Sequence, residues 1–305
     1  MKNIFRTIQI AALTIPLACL LNWSCTEAKY DDDFVEGDPP PVPGGFVNSS
    51  EVAASNLLAY WNFNGDKKES ISGVVPSSER NASFVSGIKG QALRLDSGWV
   101  LYPTISALST ANAVSSVTVA VWVRFRNNGA QASEFFALTQ DPTVQSDWLT
   151  ILNVAAETGR SATSNNLVFH SWIGSYSTGS RRGGDNINDF GVSGVDFQTV
   201  PRAGEWVHYI MRYDGATSTI DLFANSIRVS NNNFRVRTGL GPLVATVPTR
   251  VLLGAFPTLA VGYPNSGNQS WQDWLTGSMD ELRVYNKALT DVEISALYKL
   301  ERQGR

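Results

Sequence analysis

Two adjacent carboxylates, Asp280 and Glu281, lie in the stretch TGSMDELRVYNKALTDVEISAL, and paired acids are a chemistry that could define a function. Two carboxyl groups hydrolyse a glycosidic bond when both face it, with roughly 5–9.5 Å between them. Side chains of neighbouring residues on a regular strand point to opposite faces of the sheet. Asp280 and Glu281 therefore cannot act on the same bond, and this pair does not predict a glycosidase.

The remaining titratable residues give no catalytic set either. Four further acids are separated by loop residues and would converge only by chance of folding: Glu157, Asp185, Asp189 and Asp196. The chain has two histidines, His170 and His208, which excludes a histidine-rich zinc centre, and each lies in a strand pattern typical of a structural, hydrogen-bonded histidine. No catalytic residue is assigned, and the sequence favours a non-catalytic protein, although an enzyme with an unrecognised site stays open.

Aromatic and amide side chains give the best binding signal. A sugar presents apolar C–H faces and a rim of hydroxyl groups, so its sites combine a flat aromatic ring with polar side chains. Two segments without regular period, 174–194 and 257–272, have this composition together with the residues that flank them. The candidate ligand-binding residues are Trp172, Tyr176, Arg181, Arg182, Tyr263, Asn268, Trp271 and Trp274. The alternative is that the tryptophans among them only cover the ends of the fold.

The elements that must position these residues are predicted to be strands. Val117, Val119, Val121, Val123 and Phe125 alternate with less apolar residues, which indicates a strand with one face in the core. Segments 206–213 and 219–224 flank Asp214-Gly215 and predict a hairpin. Further strands are predicted at 57–63, 92–95, 135–139, 149–154, 166–172, 227–229, 250–253 and 278–285. Trp61, Trp122 and Trp206 are predicted core residues.

One helix is predicted, at the C-terminus. Thr290 and Glu293 fit a capping box, in which the hydroxyl accepts from an amide of the first turn and the carboxylate reaches back to the cap amide. Apolar residues after Glu293 would dock this short helix on the sheets.

In order, the motifs LAYWNFNG, GIKGQAL, the 117–125 strand, EWVHY with YDG, and GSMDELRVYN resemble the laminin-G-like, concanavalin A-like jelly roll. The resemblance covers residues 56–300 and implies an all-β sandwich of two curved antiparallel sheets with a short C-terminal helix. It also implies a structural Ca²⁺ on Asp280, with oxygens from Asn62, Asn64 or Asp66. The alternative is that Asp280 accepts backbone amides. Glu281 is expected to pair with Arg283 or a neighbouring strand, or to lie at the surface.

The N-terminus indicates export. A basic start and an apolar run of about 14 residues are typical of a signal peptide, and too short for a spanning helix. The stretch LLNWSC resembles a bacterial lipobox, which predicts a leader at 1–24 and lipidation of Cys25; ordinary secretory cleavage is the alternative. Residues 25–55, rich in proline and aspartate, are predicted to be a flexible tether before a jelly-roll domain at 56–305. The acidic run in this tether resembles the surface-export signal of Bacteroidetes lipoproteins.

Charge and composition complete the prediction. The net charge of −3, which cleavage of the leader makes more negative, argues against nucleic acid as a partner. We expect a non-catalytic carbohydrate-binding lipoprotein of the outer membrane, at the cell surface, that captures a glycan for a polysaccharide utilisation system. A glycoside hydrolase or polysaccharide lyase, and an adhesin that binds envelope proteins, are the alternatives.

Overall fold

A computed structural model describes residues 39–177, 179–189 and 198–305. The predicted leader, Cys25, the first part of the predicted tether (25–38) and Asp196 lie outside these residues. Within them, no helix is long and apolar enough to span a membrane. The fold is all-β with one C-terminal helix, as predicted, and its compact unit runs from Pro40 to Arg305.

Besides five short 3-10 helices, the described residues of this unit form fourteen strands and one α-helix. They are β1 (Leu57–Trp61), β2 (Ser78–Ser86), β3 (Gln91–Tyr102), β4 (Val117–Phe125), β5 (Ala132–Gln140), β6 (Leu152–Ala156), β7 (Phe169–Ser175), β8 (Arg182–Ile187), β9 (Val207–Asp214), β10 (Thr219–Ala224), β11 (Ile227–Arg228), β12 (Thr249–Leu253), β13 (Gln272–Asp273), β14 (Leu275–Tyr285) and α1 (Asp291–Arg302).

The hydrogen-bonded order of the strands is β11-β10-β9-β4-β14-β3-β12-β5-β6-β7-β8. Strand β3 joins the part of the sheet that ends at β14 to the part that begins at β12. Its first residues pair with β14 and its last residues pair with β12. Strands β1 and β2 add to β14 and β3, and β13 runs parallel to β5. The sheet curls around one large apolar core, which includes the inward residues of β4, β6, β7 and β9.

Strand β4 has the predicted bounds, but both of its faces are buried. Its valines point into the core, and α1 covers the opposite face, where Trp122 stacks on Tyr298 with 5.5 Å between ring centroids. The predicted capping box is present, since the Glu293 amide donates to Thr290 Oγ1 and the Thr290 amide donates to a Glu293 oxygen. Docking of α1 therefore explains why both faces of β4 are buried, although its sequence pattern predicts only one core face.

The compact unit begins earlier than the predicted boundary at residue 56. Val42 and Val52 are buried in a cluster with residues of α1. Arg305, the last residue, donates from Nε to the Val47 carbonyl at 2.9 Å and from Nη1 to the Pro40 carbonyl at 3.2 Å. The last part of the segment predicted to be a tether is thus packed, and the start and end of this unit contact each other.

Other differences concern segments with few apolar residues. The predicted loop 174–194 contains strand β8, which pairs with β7 over its whole length. Strand β2 was not predicted because most of its residues are polar and exposed. Trp61 and Trp122 are buried as predicted, whereas Trp206 is half-exposed beneath the Arg124 guanidinium, so its assignment to the core was wrong.

Candidate functional site

Four aromatic side chains from separate parts of the chain form one cluster on the side of β5–β7 that faces away from the core. Trp172 belongs to β7, where its neighbour Ile173 points inward. Trp148 lies edge-on to Trp172 at 5.4 Å and to Trp271 at 4.8 Å, and Phe256 lies 5.2 Å from Trp271. The three tryptophans are half-exposed and Phe256 is buried. We refer to these four residues as the aromatic patch.

The patch brings together one candidate from each predicted segment, Trp172 and Trp271. Trp148 makes the connection and was missed, because it lies between a polar segment and the start of the predicted strand 149–154, outside both segments that were singled out for binding. The short polar segment on its N-terminal side, typical of a surface loop, is the signal that could have identified it.

A cleft of about 380 Å³ lies beside the patch and shares Phe256 with it. Its remaining lining is mostly polar: Ser97, Gln131, Thr258, Ala260, Asn268, Gln269, Ser270, Gln272, Asp273 and Trp274. Gln272 Oε1 accepts from the Gln269 amide at 3.0 Å, while Gln272 Nε2 is buried and has no acceptor among the described residues. This amide cleft combines a half-exposed indole with several hydroxyl and amide groups, which are the donors and acceptors that a sugar hydroxyl needs.

Of the remaining candidates in this region, Tyr263 differs from expectation and Trp274 has a partner of its own. Tyr263 is fully buried, with its hydroxyl 2.8 Å from Thr139 Oγ1, so it cannot be a platform. Burial raises its pKa, which keeps the phenol neutral. Trp274 is half-exposed, and the Arg80 guanidinium lies 4.8 Å from its ring centre. Asn268 is exposed and lines the amide cleft, and its role in binding stays a prediction.

The arginine candidates lie at the β7–β8 end of the patch. Arg181 is half-buried, and Tyr176, also half-buried, follows β7. Arg182 is exposed and donates to the Gly239 carbonyl at 2.9 Å. Adjacent in sequence, Arg181 and Arg182 therefore contact different parts of the structure, and only Arg181 borders the loop that carries Trp148, through the Thr150 carbonyl.

His170 lies between two of the acids that were expected to converge only by chance. Its Nδ1 is 2.7 Å from Glu157 Oε1 and its Nε2 is 2.9 Å from Asp185 Oδ2. Burial alone would lower the pKa of His170, but hydrogen bonds to Asp185 and Glu157 outweigh burial and raise it. Burial acts to raise the pKa of Asp185, yet His170 and Arg237 lower it. The imidazole ring of His170 also lies 3.7 Å from the Trp172 ring centre and packs against the patch.

A buried acid lies on β5, next to this region. Glu134 is fully buried, its Oε1 accepts from Asn153 Nδ2 at 2.6 Å, and its Oε2 has no donor among the described residues. Burial raises the pKa of Glu134 well above its usual value, so the acid tends to hold its proton. Asn153 pairs across the sheet with Trp172, which places this carboxyl group under the aromatic patch.

His208 is structural, although it is not hydrogen-bonded as expected. It is fully buried and stacks on Trp122 at 5.0 Å, and neither ring nitrogen has a hydrogen-bond partner among the described residues. Burial and the Arg283 charge lower its pKa to about 3, so the ring is neutral at physiological pH.

The Asp280-Glu281 pair lies in a bulge of β14 and not on a regular strand. Glu281 has a φ of 48°, and the pairing of β14 with β4 shifts between Asp280 and Arg283. Glu281 is fully buried, accepts from Tyr60 Oη at 2.8 Å and pairs with Arg283 at 2.7 Å. Pairing with Arg283 is confirmed, whereas the alternative of a surface charge was wrong.

The side-chain oxygens proposed as Ca²⁺ ligands accept hydrogen bonds from backbone amides. Asp280 Oδ2 accepts from Ile88 at 2.8 Å and Lys89 at 3.1 Å, and Asn64 Oδ1 accepts from Gln91 at 2.7 Å, so both side chains hold the β2–β3 turn. Burial raises the pKa of Asp280 to about 7 against the effect of these amides. Asn62 Oδ1 and Asp66 Oδ1 accept from amides two residues further on.

Through the described ranges, no group of three or more His, Cys, Asp and Glu side chains is arranged to hold a metal ion. The geometry matches the amide-acceptor alternative, and Ca²⁺ at this position stays a prediction.

Comparison with known proteins gives a family and a fold. The family model described as the concanavalin A-like lectin/glucanases superfamily matches residues 97–295, more than half of the chain. No curated protein matches the sequence. The predicted jelly roll is therefore confirmed.

Three solved structures are similar to this chain at low sequence identity. Domain 4 of AbnA, a GH43 extracellular arabinanase from Geobacillus stearothermophilus solved with arabinotriose, has 19% identity and a TM-score of 0.48 over 79% of this chain and 98% of that one. The Paraclostridial mosquitocidal protein 1 binding domain has 14% identity and a TM-score of 0.50 over 80% of this chain and 52% of that one. The botulinum neurotoxin serotype D ligand binding domain, solved with N-acetylneuraminic acid, has 11% identity and a TM-score of 0.52 over 82% of this chain and 52% of that one. The chain spans about half of the two toxin domains.

Proposed function

Because the chain belongs to the concanavalin A-like lectin/glucanase superfamily, we propose that it binds a carbohydrate, without cleaving it, at the aromatic patch and the amide cleft. The observation that carries this proposal is the patch itself. Trp148, Trp172 and Trp271 are half-exposed on one face of the sheet, next to a cleft lined by hydroxyl and amide groups. Indole rings stack on the apolar faces of sugar rings, and the amides can bind the hydroxyl rim.

The site contains one buried donor that the described residues leave unsatisfied, which supports a polar ligand. Gln272 Nε2 is buried in the wall of the cleft without an acceptor in the described part of the chain. An unsatisfied buried donor destabilises the free protein by roughly 1–3 kcal/mol, and a ligand oxygen would remove that cost.

Affinity electrophoresis and calorimetry of the full chain in detergent, against a panel of polysaccharides, test this proposal. Trp172→Ala is expected to weaken binding by about tenfold or more, since loss of the apolar contact area of one large side chain costs of the order of 1.5–3 kcal/mol. Trp206→Ala is the matched control, because Trp206 is also half-exposed but lies outside the patch. Binding of no glycan at all, or equal loss in both variants, would contradict the proposal.

We further propose that lipid on Cys25 anchors the protein in the outer membrane at the cell surface, where it serves a polysaccharide capture system. This part rests on the sequence, in which the leader and lipobox precede an acidic, proline-rich segment. Metabolic labelling with a palmitate analogue, compared between the natural chain and Cys25→Ser, tests it. Protease treatment of intact cells then distinguishes a surface position from a periplasmic one.

One observation keeps hydrolysis or elimination as a second candidate. Glu157 and Asp185 lie on either side of the His170 ring, so two carboxylates share one face of the sheet near Trp172. Both ring nitrogens of His170 are engaged by these acids, and a general base needs a free nitrogen. Incubation with the same glycan panel, followed by detection of reducing ends and unsaturated products, decides between the two. A co-purified envelope protein without glycan binding would instead favour an adhesin.

A further inference from the structure

Arg181 lies flat across strands β7 and β8 in a space that two glycines leave open. Gly174 and Gly183 pair across these strands. A Cβ atom at Gly174 would lie 2.6 Å from Arg181 Nε, and one at Gly183 would lie 2.9 Å from Arg181 Nη1. Glycine in a strand interior weakens the strand and often marks a place where another group approaches closely. Here the approaching group is a guanidinium.

The contacts of Arg181 hold the guanidinium in place without neutralising it. Its Nε donates to the Thr150 carbonyl at 3.3 Å and its Nη2 donates to the Ile173 carbonyl at 3.1 Å. Burial lowers the pKa of Arg181, although Tyr176 and Asp147 act on the guanidinium electrostatically to raise it. A guanidinium has five N–H donors, and two of them are used by these carbonyl groups.

Several other partly buried arginines have a carboxylate partner, although Arg94 and Arg124, also half-buried, form no ion pair in the described part of the chain. Arg212 and Arg235 share Asp221, and Arg237 pairs with Asp185. Arg181 forms no ion pair with an Asp or Glu of residues 39–177, 179–189 or 198–305. A half-buried cation without an acid is costly unless a negative group from outside completes it.

The Arg181 guanidinium lies on the same side of β7 as Trp172 of the aromatic patch. Gly174 follows Trp172 by two residues, so both lie on the outward side of β7. The Thr150 carbonyl that Arg181 binds lies two residues after Trp148. An anionic group held by Arg181 would therefore belong to a ligand that also contacts the indole rings. A guanidinium fork matches the two oxygens of a carboxylate or sulfate, which gives both strength and orientation.

We propose that the glycan bound by this protein is acidic and that Arg181 binds its carboxylate or sulfate group while the sugar rings contact Trp172 and Trp148. This inference rests on the proposed function and specifies the ligand class of the same site.

Pairs of polysaccharides that differ only in charge test the inference, with the full chain in detergent. Polygalacturonate is compared with its methyl ester, and dextran sulfate is compared with dextran. Binding to one of the two acidic members is expected to exceed binding to its neutral twin by about tenfold or more, because charged hydrogen bonds are the stronger class. The pair that shows the difference distinguishes a carboxylate from a sulfate.

Two neighbouring variants assign the effect to one residue. Arg181→Gln is expected to remove the preference for the acidic member, while Arg182→Gln, which changes the same charge on an exposed side chain, is expected to keep it. Arg181→Lys keeps the charge without the fork and is expected to retain part of the preference. Thermal unfolding of each variant checks that the fold is intact.

The outcomes separate the two proposals. Equal binding of acidic and neutral members, or a preference that survives Arg181→Gln, would overturn the role of Arg181 and leave carbohydrate binding standing. Binding of no polysaccharide, neutral or acidic, would overturn the proposed function and this inference with it.

Discussion

The Nε atom of Arg283 donates to Oε1 of Glu301 at 2.7 Å, and neither side chain is more than 2% exposed. This ion pair connects strand β14 to helix α1. Trp122 Nε1 also donates to Glu301, at 2.8 Å, from the strand beneath the helix. The helix is therefore held on the sheet by buried charge as well as by its apolar residues.

Removal of one partner of this ion pair is expected to lower the free energy of unfolding. Glu301→Ala leaves Nε of Arg283 and Nε1 of Trp122 without their acceptor, while Glu281 still pairs with Arg283, and the expected loss in the free energy of unfolding is about 1–3 kcal/mol for each donor left unsatisfied. Arg202→Ala, which removes an exposed pair with Glu205, is the control and is expected to cost less than about 1 kcal/mol. Urea denaturation measures both, and similar losses would show that burial of the pair does not matter.

Stability should depend on pH through His170. The folded pKa of His170 is raised above 6.5, so its contribution is complete below that pH and is lost as the pH rises through the folded value. The raised pKa of Asp280 acts in the same direction at lower pH. We therefore compare the natural protein with His170→Asn by urea denaturation from pH 6 to pH 9. The difference in unfolding free energy should shrink as the pH rises; a constant difference would mean that the ion pair adds nothing.

Glu134 gives a prediction of the opposite kind, in which a substitution stabilises the protein. Its raised pKa means that the carboxyl group favours folding below its usual pKa of 4.5 and opposes it as the pH rises. Glu134→Gln does not titrate and keeps an oxygen for Asn153. The variant should therefore gain stability over the natural protein between pH 5 and pH 8. Glu205→Gln, at an exposed position, should show no such gain.

Asp280 should stabilise the β2–β3 turn through its amide acceptors. Asp280→Ala leaves the amides of Ile88 and Lys89 without an acceptor and is expected to cost roughly 1–3 kcal/mol, whereas Asp280→Asn keeps one oxygen and should cost less. Because these oxygens accept amides, we expect a chelator to leave the melting temperature unchanged. A melting temperature that falls on chelation in the natural protein, and not in Asp280→Asn, would establish the Ca²⁺ site instead.

Local sequence signals predicted the parts of the fold that depend on local chemistry. Strand β4 was predicted with its bounds because β-branched residues alternate through it. The start of α1 was predicted because its capping box involves residues three positions apart. Strand β2, in contrast, is polar and is a strand because it pairs with β3 along its length, which no local signal contains.

The candidate site was likewise predicted only where residue type alone identifies its members. Trp172 and Trp271 were recognised by residue type, but their connection through Trp148 depends on three loops and strands that meet only in the folded chain. The burial of Glu281 was missed because the strand alternation rule assumes a regular strand, and the left-handed residue in the bulge breaks that regularity.

Arg305 and the carbonyl groups of Val47 and Pro40 meet beside α1, on the layer opposite the one that carries the aromatic patch. Immobilisation of this unit on a sensor surface through either end would therefore leave Trp172 and Trp271 facing the solution. In a glycan-binding assay on such a surface, the protein would present the same face to the glycan whichever end carries the linker.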